Sequence, residues 1–243
     1  MAEQRHLPRA PITEGLVDFR VEAPTGLTVD QLIASIAERG NFGYTAKGPI
    51  VRSEFGFSPD ARQARASSTS IGIRLHSTDE RYVALLSIEG FTFSRLEPYQ
   101  SWEDLLREAR PLWDGYVQCL GPGSITRIAT RYINNLRLPS ADLEQFLVML
   151  PRIPEGLPEA MSGFLQRYVL HDSEAEATVL LTQALPEASP GPPVPVILDI
   201  DVFRPMRFPI HEEATWQYLE RLRVLKNRVF FKCLTERAVE LYE

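Results

Sequence analysis

The chain has 243 residues, of which 44% are hydrophobic and 24% are charged, and its formal net charge at pH 7 is −6. This composition is typical of a globular protein that buries a substantial core without disulfide bonds. The negative charge repels phosphate backbones and so disfavours non-specific binding to nucleic acid. Residues 1–15 lack the apolar run of a signal peptide, and no apolar stretch has the length of a membrane helix. We expect a cytoplasmic protein.

The sequence carries no familiar catalytic motif. It has no phosphate-binding loop, dinucleotide-binding glycine motif, zinc-protease helix motif or nucleophile elbow. Its two cysteines, Cys119 and Cys233, are 114 residues apart, which matches neither a zinc-site spacing nor the disulfide framework of a small secreted domain. We therefore expect both cysteines to be small core side chains, predict no cofactor and favour a non-enzymatic protein.

The first half of the chain predicts strands and helices in the order β-α-β-β-β-α. The segments are strand 15–22, helix 28–40, strands 49–57, 68–76 and 82–93, and helix 101–120. In the first strand, Val17, Phe19 and Val21 alternate with polar side chains, which is the pattern of a half-buried strand. Thr28 and Ser101 directly precede helical apolar stripes and are the predicted N-caps.

The second half repeats this order, with the final helix beginning near Glu213. The other segments are strand 125–136, helix 142–150, and strands 163–171, 177–185 and 195–203. An offset of 114 residues superposes Trp102 on Trp216 and Cys119 on Cys233, and it aligns apolar patterns in four elements. We interpret this match as an internal duplication, with repeat 1 at 12–121 and repeat 2 at 124–243.

The predicted fold class is α+β, as a single pseudo-symmetric domain. Each β-α-β-β-β-α unit has too few strands to bury both faces of a sheet by itself. We therefore expect the repeats to share one antiparallel sheet of about eight strands, with the helices on one face. An open saddle and a partly closed barrel both satisfy this pattern.

Positions that differ between the repeats are candidates for functional specialisation. Leu112 and Trp113 of the first long helix correspond to Lys226 and Asn227 of the last one. A buried lysine and asparagine require polar partners. The alternative is a rotated helix in which Leu222, Leu225 and Val229 face the core and Lys226 is solvated.

Polar side chains also occupy two predicted strands of the second repeat. Strand 125–136 carries Arg127, Arg131 and Asn134, which either lie on a solvent face or form a basic concavity for an anionic ligand. In the strand 195–203, Asp199 and Asp201 share one face. We favour cross-strand salt bridges between these carboxylates and the two arginines over the alternative of a Mg²⁺ or Mn²⁺ site.

Three short motifs resemble those of a sporadically distributed family of bacterial proteins of similar length and unknown function. They are the opening Pro-x-x-Glu strand (Pro11 to Glu14), the Arg-Tyr-x-Asn strand (Arg131, Tyr132 and Asn134) and the late Lys-Asn-x-x-Phe helix (Lys226, Asn227 and Phe230). The resemblance spans nearly the whole chain. It implies no reaction and no ligand, but its motifs coincide with the positions that differ between the repeats.

The first hypothesis is a binding or assembly module that presents a polar face to a protein partner or a small anionic ligand. The candidate residues are Arg127, Arg131, Asn134, Asp199, Asp201, Lys226 and Asn227. One alternative is a metal-dependent enzyme acting on phosphate esters, with Asp199 and Asp201 as ligands and Arg131 or Lys226 holding the phosphate. The other is a nucleic-acid-binding saddle, which the acidic composition disfavours. A homo-oligomer remains open.

Overall fold

The computed structural model describes residues 2–58, 63–156, 158, 161–186, 191–210 and 213–243. Within these residues nine strands form one antiparallel sheet, accompanied by four α-helices, so the α+β class is confirmed. The strands are β1 (Ile12–Glu22), β2 (Thr45–Ser58), β3 (Gln63–His76), β4 (Tyr82–Ser87), β5 (Gly90–Leu96), β6 (Ser124–Leu138), β7 (Phe164–Asp172), β8 (Ala177–Leu185) and β9 (Val194–Arg204). The helices are α1 (Val29–Glu38), α2 (Trp102–Leu120), α3 (Glu213–Cys233) and α4 (Glu236–Glu240).

Side-chain caps fix the starts of the first two helices, as the sequence predicts. The Thr28 hydroxyl accepts a hydrogen bond from the Gln31 amide at 3.2 Å, and the Gln31 side chain accepts one from the Thr28 amide at 2.9 Å. The Ser101 hydroxyl accepts from the Asp104 amide at 3.0 Å. These bonds satisfy amide groups that have no partner within the first turn of a helix.

The sheet has the strand order β2-β3-β4-β5-β1-β6-β9-β8-β7, so β1 and β6 lie side by side near its centre. Its outer strands, β2 and β7, are not joined in that order, and the sheet is open rather than closed into a barrel. One face is covered by helices: the Phe19 ring contacts both Trp113 of α2 and Trp216 of α3. We call the opposite side the open face.

The structure corrects two predicted elements. The predicted strand 82–93 is a hairpin, in which β4 and β5 turn through Ile88 and Glu89, and this division raises the strand count above eight. The predicted helix 142–150 is wrong, since the segment has only a 3₁₀ turn at Leu143–Gln145. Its backbone bonds to the end of α3 instead: the Val148 amide donates to the Cys233 carbonyl at 2.9 Å. A segment this short gains little from helix formation alone.

Candidate functional site

Strand β6 divides the candidate residues between the two faces of the sheet. Because successive side chains of a strand point in opposite directions, Arg127 and Arg131 lie on the open face, whereas Tyr132 and Asn134 face the helices. Asp199 and Asp201 join the arginines on the open face, and Lys226 and Asn227 join Asn134 on the helical side. The seven residues therefore form two separate groups.

The open face carries an ion-pair ladder formed by Asp18, Arg127, Arg131, Asp199 and Asp201. Arg127 donates to Asp18 at 2.6 Å and to Asp201 at 3.0 Å, and so bridges β1 and β9. Arg131 donates to both carboxylate oxygens of Asp199, at 2.8 and 2.6 Å. The predicted salt bridges are confirmed, and Asp18 is an additional member.

The ladder is partly withdrawn from water. Asp18 is only 6% exposed, and burial raises the pKa of Asp201 above its ordinary value although Arg127 and Arg131 oppose that shift. The hydrogen bond to Asp199 raises the pKa of the Arg131 guanidinium. Within the described residues, no group of three or more His, Cys, Asp or Glu side chains is arranged to hold a metal ion.

A cavity of about 930 Å³, which we call the Lys226 cavity, lies on the helical side of β6. Its walls come from four parts of the chain that are distant in sequence. They are Gln4–Ala10 with Ile12, Glu97–Glu103, Tyr132 and Asn134 of β6, and Arg223, Lys226, Asn227, Phe230 and Phe231 of α3. Three of the seven candidate residues, Asn134, Lys226 and Asn227, thus line one cavity.

Lys226 is the most unusual residue of this cavity, since it is 7% exposed. Its Nζ lies 3.5 Å from the centroid of the Tyr132 ring, which is cation–π distance. No carboxylate in the described part of the chain pairs with it. Burial, together with the positive charge of Arg223, lowers the pKa of the Lys226 amine to about 7. The interpretation of Lys226 as solvated is wrong, although Leu222 and Leu225 do face the core.

Two tyrosines form a hydroxyl pair in the same wall. The hydroxyl oxygens of Tyr99 and Tyr132 are 2.7 Å apart, and burial raises the pKa of both groups, so both remain protonated at neutral pH. Asn134 donates its amide to the Leu198 carbonyl at 2.9 Å. The pair and the amide give this wall a fixed polar lining.

The amino-terminal part of the cavity lining is held in place by contacts with residues 234–243. The Ala2 amide donates to the Leu234 carbonyl at 3.0 Å, and the Arg9 amide donates to the Tyr242 carbonyl at 3.1 Å. Arg5 forms salt bridges with Glu236 and Glu243. These contacts fix the segment as a wall of the cavity, although Gln4–Ala10 forms no helix or strand.

Sequence reasoning missed Tyr99 and the wall formed by Gln4–Ala10, and it did not include Arg223 among the site candidates. Tyr132 could have been selected from the sequence, because it lies in the Arg-Tyr-x-Asn motif, two residues before the candidate Asn134. The signal for Tyr132 was strand alternation, which assigns it to the face opposite Arg131. Tyr99 and Gln4–Ala10 lie in irregular segments and had no comparable signal.

Two further findings concern the whole chain. Among the described helices, none combines the length and the apolar character needed to cross a membrane. No protein-family model matches the sequence, and no curated protein is significantly similar to it.

Proposed function

We propose that this protein is a non-enzymatic cytoplasmic binding module whose small-molecule ligand occupies the Lys226 cavity. The observation that carries the proposal is a buried lysine without an anionic partner among the described residues, lining a space of about 930 Å³. Ligand sites commonly enclose roughly 300–1,000 Å³ and combine aromatic walls with a few placed polar groups. The Lys226 cavity has both features.

The lining favours a ligand with a polar or anionic group. Lys226 and Asn227 offer hydrogen-bond donors to such a group, and Trp102 and Phe230 offer apolar walls to the rest of the molecule. The three arginines at the cavity already have partners: Arg223 binds Glu220 at 2.9 Å, Arg5 binds two glutamates, and Arg9 donates to the Glu243 carbonyl oxygen at 2.9 Å. Lys226 therefore gains more than these arginines from a polar or anionic group of a ligand.

The test is a thermal-shift screen of small metabolites, followed by calorimetry on each compound that raises the melting temperature. Asn227→Phe places a ring in the cavity and is expected to abolish the shifts. Arg131→Ala on the open face is the matched control and is expected to retain them. Shifts that survive Asn227→Phe but are lost in Arg131→Ala would move the site to the open face and refute the proposal.

The open face supports a second candidate, which is a protein-partner surface. The observation in its favour is that an ordered ladder of charges lies on the side of the sheet away from α2 and α3. Arg131→Ala and Asp199→Ala should weaken capture of a partner if this face binds one.

No contact among the described residues favours the alternative of a metal-dependent phosphoesterase, because arginines already bind both aspartates of its suggested metal site. A melting temperature that does not change on addition of Mg²⁺ or Mn²⁺ would count further against it.

We also infer that the chain arose by internal duplication and belongs with the bacterial family that its motifs resemble. The strand order supports a duplication, because β5, β4 and β3 follow β1 outward as β9, β8 and β7 follow β6. The 114-residue offset, however, aligns β4 rather than β5 with β9. The family motifs support the site, since Tyr132, Asn134 and Lys226 all line the cavity.

A further inference from the structure

The chain has three lysines, and they occupy very different surroundings. Lys47 is exposed and forms a salt bridge with Glu80 at 2.6 Å, and Lys232 is exposed on α3. Lys226 alone among the three is buried, and it lines a cavity large enough for a ligand. The chemistry of its amine therefore differs from that of the other two.

The charges around Lys226 do not favour its protonated form. Titratable and charged groups face the cavity from each element that lines it: Arg5, His6 and Arg9; Glu97, Tyr99 and Glu103; Tyr132; and Arg223. Arg223 lies on the same helix and repels an ammonium group, whereas neither Glu97 nor Glu103 forms a salt bridge with Lys226. Burial disfavours the charge as well, so the amine has a substantial unprotonated fraction at neutral pH.

An unprotonated lysine beside another cation is the arrangement that makes the amine a nucleophile toward carbonyl compounds. We propose that Lys226 captures a small aldehyde or ketone in this cavity by forming a reversible imine. This inference rests on the proposed function, because it names the chemical class of the cavity's ligand. The capture is a binding event and needs no turnover.

The reaction needs no partner beyond the ligand itself. The Nζ lone pair attacks the carbonyl carbon, a C–N bond forms, and the carbonyl π electrons move to oxygen, which takes up one of the two nitrogen protons. Transfer of the second nitrogen proton to the hydroxyl and departure of water then give the C=N bond. The net change is amine plus carbonyl to imine plus water. The Tyr99 hydroxyl, which stays protonated, also lines this cavity and can donate a hydrogen bond there.

The experiment traps the imine by reduction. The full chain is incubated at pH 7 with acetaldehyde or glyoxylate in the presence of cyanoborohydride, and intact mass and peptide mapping follow. We expect one adduct per chain at the Lys226 peptide, because its neutral fraction at pH 7 is about a thousandfold that of an ordinary lysine. The α-amino group of the expressed chain is resolved on its own peptide.

The controls separate a reactive site from general labelling. Lys226→Met should lose the adduct, and Lys232→Arg should keep it. Raising the pH toward that of ordinary lysine titration should reduce the preference for Lys226 over Lys47 and Lys232. Labelling that favours either exposed lysine at pH 7, or no adduct with either probe, would overturn the imine proposal in the wild-type protein, whether or not Lys226→Met folds.

The result also distinguishes this inference from the proposed function. If non-carbonyl compounds raise the melting temperature and Asn227→Phe abolishes the effect while neither probe is trapped, the cavity binds ligands without imine formation. If trapping occurs at Lys226 and Asn227→Phe prevents it, both proposals hold. If Asn227→Phe changes neither trapping nor any shift, the cavity is not the ligand site.

Discussion

The Nζ atom of Lys226 lies over the face of the Tyr132 ring, 3.5 Å from its centroid, and both residues are buried. The aromatic face supplies some of the electrostatic stabilisation that the amine loses on leaving water. It does not replace a carboxylate, so the protonated form of Lys226 remains costly in the folded protein.

This arrangement predicts a pH-dependent stability. The pKa of Lys226 is about 7 in the folded chain against 10.5 for an ordinary lysine, so between these values the unfolded chain binds more protons and stability rises with pH. Lys226→Met should therefore exceed the wild type in unfolding free energy below pH 7, by an amount on the order of 5 kcal/mol at most. The difference should narrow as pH rises and vanish near pH 10.5.

Urea unfolding of both proteins across this pH range measures the difference. Lys232→Met, which changes an exposed lysine of the same helix, should show no such pH dependence. If the difference in unfolding free energy between Lys226→Met and the wild type were the same at every pH, Lys226 would have the pKa of an ordinary lysine in the folded state.

The hydroxyl pair in the cavity wall predicts a specific coupling. Tyr99→Phe leaves the buried Tyr132 hydroxyl without its 2.7 Å partner, which should destabilise the fold by about 1–3 kcal/mol. The double variant with Tyr132→Phe should lose less unfolding free energy than the two single variants lose in sum, since no hydroxyl is then left unpaired. Tyr168→Phe, whose hydroxyl is only partly buried, is the control and should cost under about 1 kcal/mol. Additive single effects would show that the two hydroxyls do not interact.

Gly15 is predicted to be necessary for the position of this pair. A Cβ atom there would lie 2.7 Å from Tyr99 Cε2 and 2.9 Å from Tyr132 Cε1, both closer than carbon atoms approach one another. Gly15→Ala should displace the rings and destabilise the protein by about 1–3 kcal/mol, as measured by urea unfolding. Gly123→Ala, where an added Cβ meets nothing within 4 Å, should change stability little. Equal effects of the two substitutions would contradict this explanation.

On the open face, Arg127 should matter more than Arg131. Arg127→Met leaves Asp201 without a salt bridge among the described residues and leaves Asp18 only the Arg20 guanidinium, 3.6 Å away. Loss of one partner from a buried ion pair costs about 3–5 kcal/mol. The Arg131 side chain is 42% exposed and, in the described part of the chain, forms a salt bridge only with Asp199, so Arg131→Met should cost about 1 kcal/mol or less.

The Arg127→Met deficit should also depend on pH. The pKa of Asp201, already raised in the folded protein, rises further when Arg127 is removed, so the variant loses stability as pH increases through that value. The unfolding free energy of Arg127→Met should therefore fall further below that of the wild type at pH 7 than at pH 4. A deficit that is larger at pH 4 would mean that the guanidinium does not stabilise these carboxylates.

The elements that the sequence predicted correctly are those that depend on residues close together in the chain. The alternation of Val17, Phe19 and Val21 and the cap at Thr28 depend on neighbouring residues, and both features are present in β1 and α1. Segment 142–150 lost its predicted helix because its backbone pairs with Cys233 and its neighbours, which no local pattern encodes.

The candidate site likewise has some features that local sequence patterns predict and others that they do not. The pairing of Asp199 with Arg131 was predictable from strand alternation and opposite charge, once the two strands were neighbours. The burial of Lys226 was not, because it depends on Tyr132, which is 94 residues earlier in the chain. The position of the Gln4–Ala10 wall depends on contacts across more than 200 residues, which no sequence pattern indicates.

The order of synthesis bears on how the Lys226 cavity forms. A nascent chain emerges from the ribosome amino terminus first, so Gln4–Ala10 is made more than 200 residues before Arg223, Lys226 and Phe231. A fragment that ends within α3 has the sheet strands but lacks the wall that completes the cavity. Capture of a ligand at Lys226 would therefore report that the chain had been translated past this helix and had brought α3 against Gln4–Ala10.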